Sequence, residues 1–323
     1  MHSHRYTMLI YFLFAIGFVL LVYGANWLVE GAASIASRFR ISHVVIGMTI
    51  VALGTSAPEL TVNLIASFQD ASDVAIGNIL GSNISNIFLI LGVSAIILPL
   101  SVTNNSFTKD IPFALLAAII IMVMANDYLI DGVPSMLYRS DGIILILFFV
   151  LFLYYAFGIM KKSENDKTSI KEYSLQRSII MTFAGIVAMI IGGHWIVNGA
   201  IHIASAIGVS EAVISLTMVA LGTSLPELAT CVAAALKKNS EIIIGNVLGS
   251  NIFNVFFVVG TSVAIRPMPF NQALNFDLIL GLMAVLLLWF LLLFSRSKTF
   301  KPWMGGFFIV LYVAYIAFLF YKG

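Results

Sequence analysis

The sequence predicts an all-α, polytopic membrane protein of ten transmembrane helices in two inverted five-helix repeats. Three observations carry that expectation. Of the 323 residues, 60% are apolar and 10% charged, too little polar surface to cover a water-soluble globule. Apolar runs of about 20 residues, the length that spans the hydrocarbon of a bilayer, recur along the chain. Finally, one set of motifs occurs twice, 168 positions apart, from Trp27 to Trp195 onward.

The runs are centred near residues 18, 50, 88, 118, 151, 189, 220, 253, 285 and 311, the fourth being the shortest. The first, Met8 to about Val29, is read as a span and not as a cleavable leader, because its end belongs to the repeat. The extended polar stretch 161–177, rich in Lys, Glu, Asn, Asp and Ser, reads as a cytoplasmic linker. It divides the chain into an N-terminal five-helix repeat, 1–160, and a C-terminal one, 178–323.

The repeat keeps its register without a gap. Trp27, Gly31, Ile35, Ala36 and Ser37 return as Trp195, Gly199, Ile203, Ala204 and Ser205. Residues 52–60, Ala-Leu-Gly-Thr-Ser-Ala-Pro-Glu-Leu, return at 220–228 with one change, and Gly77-Asn78, Gly81-Ser82-Asn83-Ile84 and Asn86 return as Gly245-Asn246, Gly249-Ser250-Asn251-Ile252 and Asn254. Five spans separate equivalent points, so the second copy enters the membrane from the opposite side. Loop charge gives an independent test, since Lys and Arg gather on the cytoplasmic side. Arg38 and Arg40 correspond to Ala206 and Gly208, whereas Gln69 and Asp70 correspond to Lys237 and Lys238. Positive charge has changed ends between the copies. An extracytoplasmic N-terminus places 13 of the 17 Lys and Arg residues inside, leaving Arg5, Arg139, Arg266 and Lys322 outside, and makes the C-terminus extracytoplasmic too.

Glu59 and Glu227 lie within apolar spans, where an ionised carboxylate costs at least about 2.5–3.5 kcal/mol on insertion scales. A protonated glutamate bonded to a neighbouring helix would account for one of them. Two at equivalent places in an inverted repeat meet near the midplane and point to a cation. Pro58 and Pro226 lack an amide hydrogen and collide with the carbonyl four residues back, so spans two and seven should break and free the carbonyls around Gly54, Thr55, Gly222 and Thr223. Thr55 and Ser56 share a helical face with Glu59, as Thr223 and Ser224 do with Glu227. The ligand set is all oxygen, which suits Ca2+ and Na+, and no nearby His or Cys cluster favours zinc, copper or nickel. Close helix packing is the plainer reading of the Gly, Ser and Thr residues, and both can hold. In spans three and eight, Asn78, Ser82 and Asn86, and Asn246, Ser250 and Asn254, recur every four residues. Ser82, Asn86, Ser250 and Asn254 are positioned to complete a coordination shell, while Asn83 and Asn251 point elsewhere and suit hydrogen bonds between helices.

The paired Gly-Thr-Ser-x-Pro-Glu segments, each followed by Gly-Asn-x-x-Gly-Ser-Asn-Ile-x-Asn, resemble the two alpha-repeats of the calcium/cation antiporter superfamily, close to its prokaryotic sodium/calcium exchangers. The resemblance covers about 130 residues. It implies a central site of Glu59, Glu227, Asn86 and Asn254, with sodium held by Thr55, Ser56, Ser82, Thr223, Ser224, Ser250 and the carbonyls of Ala52 and Ala220. It also implies Na+ exchanged for Ca2+ by alternating access, with helices 2, 3, 7 and 8 forming the site. Similar exchangers commonly carry aspartate where this chain has Asn254. Two carboxylates neutralise one Ca2+ but not three Na+, so a Ca2+ or other divalent cation/H+ antiporter on the same scaffold is the alternative.

Other classes fit less well. A basic run interleaved with aromatics is absent and the net charge is +2, which argues against nucleic acid. The one cysteine, Cys231, excludes an intrachain disulfide and a multi-thiolate centre. An intramembrane hydrolase built on Ser56 or Ser224 would lack a His or Lys base on neighbouring spans, and a channel would not show counterflow. Glu30 reads as a helix-end charge, His43, His194 and His202 as surface or interfacial, and Asp127, Asp131 and Asp141 as a solvated outer loop. The expectation is thus a secondary transporter, not an enzyme and without a cofactor, resident in a prokaryotic inner membrane. Its partners would be lipid and small cations, with no obligate protein partner evident.

Overall fold

The computed structural model describes residues 2–158, 172–206, 222–295 and 297–322. The chain is mostly helical: α1 (His2–Phe39), α2 (His43–Thr55), α3 (Ala57–Phe68), α4 (Ser72–Ile97), α5 (Ser106–Met124), α6 (Arg139–Gly158), α7 (Leu175–Ala206), α8 (Leu225–Leu236), α9 (Ser240–Ile265), α10 (Gln272–Phe294) and α11 (Pro302–Lys322). Among the described residues, eight of these are long and apolar enough to cross a membrane, and α2 with α3 makes a ninth if the bent pair is one span. The tenth expected span, centred near 220, lies largely outside the described residues, and α8 is its described end.

Burial sorts the helices into a centre and a shell. In α4 and α9, 72% and 94% of the most apolar stretch is buried, against 22–33% for the other six candidate spans. The shell helices turn large side chains outward, Phe18, Phe183, Phe290 and Trp303 among them, as lipid requires and water would not allow. The two central helices are those whose sequences are rich in Gly, Ser and Asn.

Glycine sets how closely the helices approach. The long helices α1 and α7 run antiparallel along a seam with a step of seven residues: a Cβ on Gly17 would lie 2.8 Å from the Gly192 oxygen, one on Gly24 2.8 Å from the Gly185 oxygen, and one on Gly31 2.7 Å from the Ser178 oxygen. Backbones in contact at this spacing gain dispersion that larger side chains would forfeit. The seam is self-matching, because Gly192 and Gly185 are the repeat counterparts of Gly24 and Gly17. A second approach seats α2 on α9, where a Cβ on Gly245 would come within 2.4 Å of the Val44 oxygen and one on Gly249 within 2.6 Å of the Met48 Cα.

Loop contacts fall into two sets that join only segments expected on the same side of the membrane. On one side Lys237 pairs with Glu30 at 2.7 Å, Glu172 accepts from Ser37 at 2.7 Å, Asn239 meets His43 at 2.8 Å, Lys298 donates to Asn104, and β1 (Leu100–Ser101) pairs with β4 (Thr299–Phe300). On the other, Arg266 donates to Asp70 at 2.6 Å, Asn271 donates to Asp73 at 2.9 Å, and β2 (Met136–Leu137) pairs with β3 (Met268–Pro269).

Three sequence expectations need correction or refinement. His43 is not a surface residue: it is 5% exposed, because Ser42 caps α2 and turns the chain back so that the ring packs against Asn239. Glu30 is not simply solvated, since Lys237 and the Tyr173 hydroxyl both bind it. The outer aspartates shape turns, Asp127 accepting from the Met136 amide and Asp141 from the Tyr138 amide. His194 is exposed, as expected, and meets Asn198 at 2.9 Å.

The seam can be tested directly. Gly185→Leu forces side-chain atoms into the α1 backbone and should cost about 1–3 kcal/mol or more, read as a lowered unfolding temperature in detergent. Gly306→Ala, with nothing within 4 Å, should leave that temperature unchanged.

Candidate cation site

Two helix breaks create the site. Between α2 and α3 the axis bends by 46° at Ser56, whose ψ of 10° interrupts the helical run. Pro58 sits in the first turn of α3, where its missing N–H is tolerated, and Glu59 follows in the same turn. Ser224 has nearly the same backbone, φ −82° and ψ 0°, with Pro226 and Glu227 in the first turn of α8. Each glutamate therefore stands at a helix N-terminus, where aligned peptide dipoles favour negative charge.

Across from the breaks, α4 and α9 each carry a π-helical turn that begins at the third asparagine of the motif, at Asn86–Ile90 and Asn254–Val259. A π turn widens the helix by one residue and re-aims the side chain at its start. Nothing in the sequence pattern marks these turns, although the four-residue spacing stops there.

The hydrogen bonds around the breaks interlock the two halves. Ser56 donates to Glu227 Oε1 at 2.9 Å and lies 3.0 Å from Ser250 Oγ. Ser82 donates to Glu59 Oε1 at 3.3 Å and lies 3.4 Å from both Thr223 Oγ1 and Ser224 Oγ. Thr55 donates to the Ala52 carbonyl at 3.3 Å and to Asn246 Oδ1 at 3.2 Å, and Thr223 donates to Asn78 Oδ1 at 3.3 Å. All of these side chains are buried. Nine of the twelve sequence-named site residues take part in these contacts, Asn86 and Asn254 bond instead to Asn251 and Asn83, and Ala220 lies outside the described residues.

The amides form a locked ring. Asn83 donates to the Asn251 carbonyl and Asn251 to the Asn83 carbonyl, at 3.3 and 3.2 Å. Asn86 Nδ2 donates to Asn251 Oδ1 at 2.9 Å, and Asn254 Nδ2 to Asn83 Oδ1 at 3.0 Å. Asn83 and Asn251 thus hold helices together, as expected, and they also commit the donor end of Asn86 and Asn254.

Among the described residues, Glu59 Oε2, Glu227 Oε2, Asn86 Oδ1 and Asn254 Oδ1 are buried oxygens without a hydrogen-bond partner. They form two repeat-equivalent pairs, each residue at most 1% exposed. Leaving a buried polar atom unmatched costs about 1–3 kcal/mol, and more for a charged group. A hard cation is the partner such an all-oxygen set suits. Among the described residues no cluster of three or more His, Cys, Asp or Glu could hold a metal; the set has two carboxylates, with amide and hydroxyl oxygens around them. A cavity of about 270 Å³ between α3 and α7, bounded by Pro58, Thr61, His194 and Pro226, reaches Thr223 at the edge of the site.

Sequence reasoning did not single out Asn63, which accepts from Asn78 Nδ2 at 3.3 Å. An asparagine four residues after Glu59 in an apolar span was the available signal. Two matched clasps away from the site were also missed: the Tyr155 hydroxyl donates to Asp110 at 2.7 Å and that of Tyr315 to Asp277 at 2.8 Å.

The fold and the chain have clear relatives. A solved structure of the sodium-calcium exchanger NCX_Mj superposes with a TM-score of 0.83 at 34% identity, covering 96% of this chain and 99% of that one. The sodium/calcium exchanger MaX1 of Methanosarcina acetivorans is 32% identical, covering 95% of this chain and 97% of its own. The inner membrane protein YrbG of Escherichia coli is 34% identical over 86% of this chain and 88% of its own. The profile of the family described as sodium/calcium exchanger protein matches residues 9–158 and 177–321. With that match running through both glutamate segments and both asparagine helices, the chain is an integral membrane protein that belongs to the sodium/calcium exchanger family.

Proposed function

We propose that this protein is a secondary antiporter that exchanges Na+ for Ca2+ by alternating access, the central cation lying between Glu59, Glu227, Asn86 and Asn254. The carrying observation is the set of four buried, repeat-equivalent oxygens that no donor among the described residues satisfies. Sodium would take the flanking oxygens of Thr55, Ser56, Ser82, Thr223, Ser224 and Ser250 and the carbonyls of Ala52 and Ala220. No chemical step on a substrate is involved, and an ion gradient supplies the energy.

The architecture that serves this reading is ten helices in two inverted repeats, 1–160 and 178–323, joined through 161–177. Spans two, three, seven and eight surround the site, and both termini are extracytoplasmic. The gapless motif repeat, the self-matching glycine seam and the partition of loop contacts into two sets support it. The helices α1 and α7, joined along their seam and poor in polar residues, make the moving pair. They slide past the apolar bundle only when the carboxylates are neutralised, because a net charge facing hydrocarbon is expensive.

Asn254 keeps a second reading in play. Two carboxylates match one Ca2+ or two Na+, and a third Na+ would travel with a net positive charge. A Ca2+/H+ antiporter needs only that each carboxylate exchange its cation for a proton. The two readings differ in which gradient drives the metal, and the current carried per Ca2+ counts the coupling ions.

Three outcomes follow from the geometry. Glu59→Gln and Glu227→Gln should each remove transport, at least a hundredfold, while the unfolding temperature stays near that of the parent; near-normal flux in either would refute the central site. Asn251→Ala strands Asn86 Nδ2, and should cost about 1–3 kcal/mol of stability as well as Ca2+ affinity, measured by thermal unfolding with and without Ca2+. In proteoliposomes, 45Ca2+ uptake should be driven by internal Na+ and not by internal choline at the same pH; uptake that responds only to an imposed pH gradient would move the assignment to proton coupling.

A further inference from the structure

Behind the site the two repeats differ at one buried position. In the first, Asn63 Oδ1 accepts from Asn78 Nδ2 at 3.3 Å, and Asn78 Oδ1 in turn accepts from Thr223 Oγ1 at 3.3 Å. In the second, the acceptor for Asn246 Nδ2 is Cys231 Sγ at 3.3 Å, and Asn246 Oδ1 accepts from Thr55 Oγ1 at 3.2 Å. Cys231 is the counterpart of Asn63, 168 positions on. Each relay therefore starts in one half and ends on a hydroxyl at the helix break of the other. Asn63, Cys231 and Asn246 are at most 1% exposed.

The relay decides which face the threonine hydroxyl presents. A hydroxyl has one proton and two lone pairs. While the proton is committed to the asparagine oxygen, or for Thr55 shared between it and the Ala52 carbonyl, the hydroxyl can offer a lone pair and not its proton to a cation. If the amide turned over, its NH2 would occupy a lone pair and drive the hydroxyl proton toward the cation. What holds the amide in place is the acceptor of its Nδ2. A carboxamide oxygen is a strong acceptor and a thiol sulfur a weak one, so Asn246 is held less firmly than Asn78. Thr55 adjoins Ser56, whose hydroxyl binds Glu227, whereas Thr223 lies 3.4 Å from Ser82, which binds Glu59.

We infer that Cys231 is a positioning residue that makes the cation position beside Thr55 and Glu227 weaker than its counterpart beside Thr223 and Glu59, so that the two flanking positions fill unequally. The inference rests on the exchanger reading, because it concerns the ions that flank the central one. It makes Cys231 a determinant of sodium dependence while leaving the central Ca2+ shell of Glu59, Glu227, Asn86 and Asn254 untouched.

The test compares the parent with Cys231→Ser and Cys231→Ala in proteoliposomes. Serine restores an oxygen acceptor at nearly the same volume; alanine removes the acceptor. Two rates are read: Na+-driven 45Ca2+ uptake against Na+ concentration, and exchange of 45Ca2+ for internal unlabelled Ca2+ without Na+. Cys231→Ser should lower the Na+ concentration for half-maximal rate roughly two- to fivefold and Cys231→Ala should raise it by a similar factor, the span expected of one neutral hydrogen bond. Ca2+ for Ca2+ exchange should keep the parent's half-saturation in both. An unchanged sodium dependence in both variants would overturn the positioning role, as would sodium and calcium dependences that move together, which is the mark of a general packing effect. A parent that carries Ca2+ in neither assay would instead overturn the exchanger reading, and this inference with it.

Discussion

Everything in this molecule is arranged around keeping two carboxylates inside hydrocarbon. An isolated charge there is prohibitive, and Ser82 and Ser56 donate to the Oε1 atoms of Glu59 and Glu227, while Glu59 Oε2 and Glu227 Oε2 have no hydrogen-bond partner among the described residues. A fold built only for stability would have supplied donors to Oε2 and to the amide oxygens of Asn86 and Asn254. That deficit of hydrogen bonding is what the proposed cation would meet.

The rest of the structure makes that deficit durable. A site that lacks donors would relax if its amides could turn, and the ring through Asn83, Asn251, Asn86 and Asn254 opposes this by giving each of the four carboxamide nitrogens a fixed acceptor. The ring in turn requires α4 and α9 to lie close together, which their small side chains permit. Outside them the shell helices carry the apolar surface that lipid demands. Polar residues thus occupy the centre and apolar ones the rim, the reverse of a water-soluble protein.

Much of this was legible in the sequence because the chain states it twice. The duplicated Thr-Ser-x-Pro-Glu and Gly-Ser-Asn-Ile-x-Asn segments located the glutamates, the breaks and the asparagine faces, and hydrogen bonds link nine of the named residues around the breaks, with Asn86 and Asn254 held in the amide ring. What escaped was geometry with no compositional mark. The π turns at Asn86 and Asn254 depend on hydrogen-bond register, which a four-residue spacing does not encode. Asn63 and Cys231 act through Asn78 and Asn246, so neither carries a motif of its own. The burial of His43 was missed because a loop assignment said nothing of the neighbour that loop would meet, and Asn239 is almost two hundred residues away.

The short strand pairs at the two faces have a consequence for ancestry. Met268 in β3 is the repeat counterpart of Leu100 in β1, and β4 holds in the second half the place that β2 holds in the first. The pairings β1 with β4 and β2 with β3 are therefore one contact made twice, with the roles of the halves exchanged. Such a contact is isologous. A chain of half this length would carry both edges of it and could close on an upside-down copy of itself, forming the same two clasps between separate molecules. Within a single polypeptide each half can carry its own residue at an equivalent position, as Asn63 and Cys231 do.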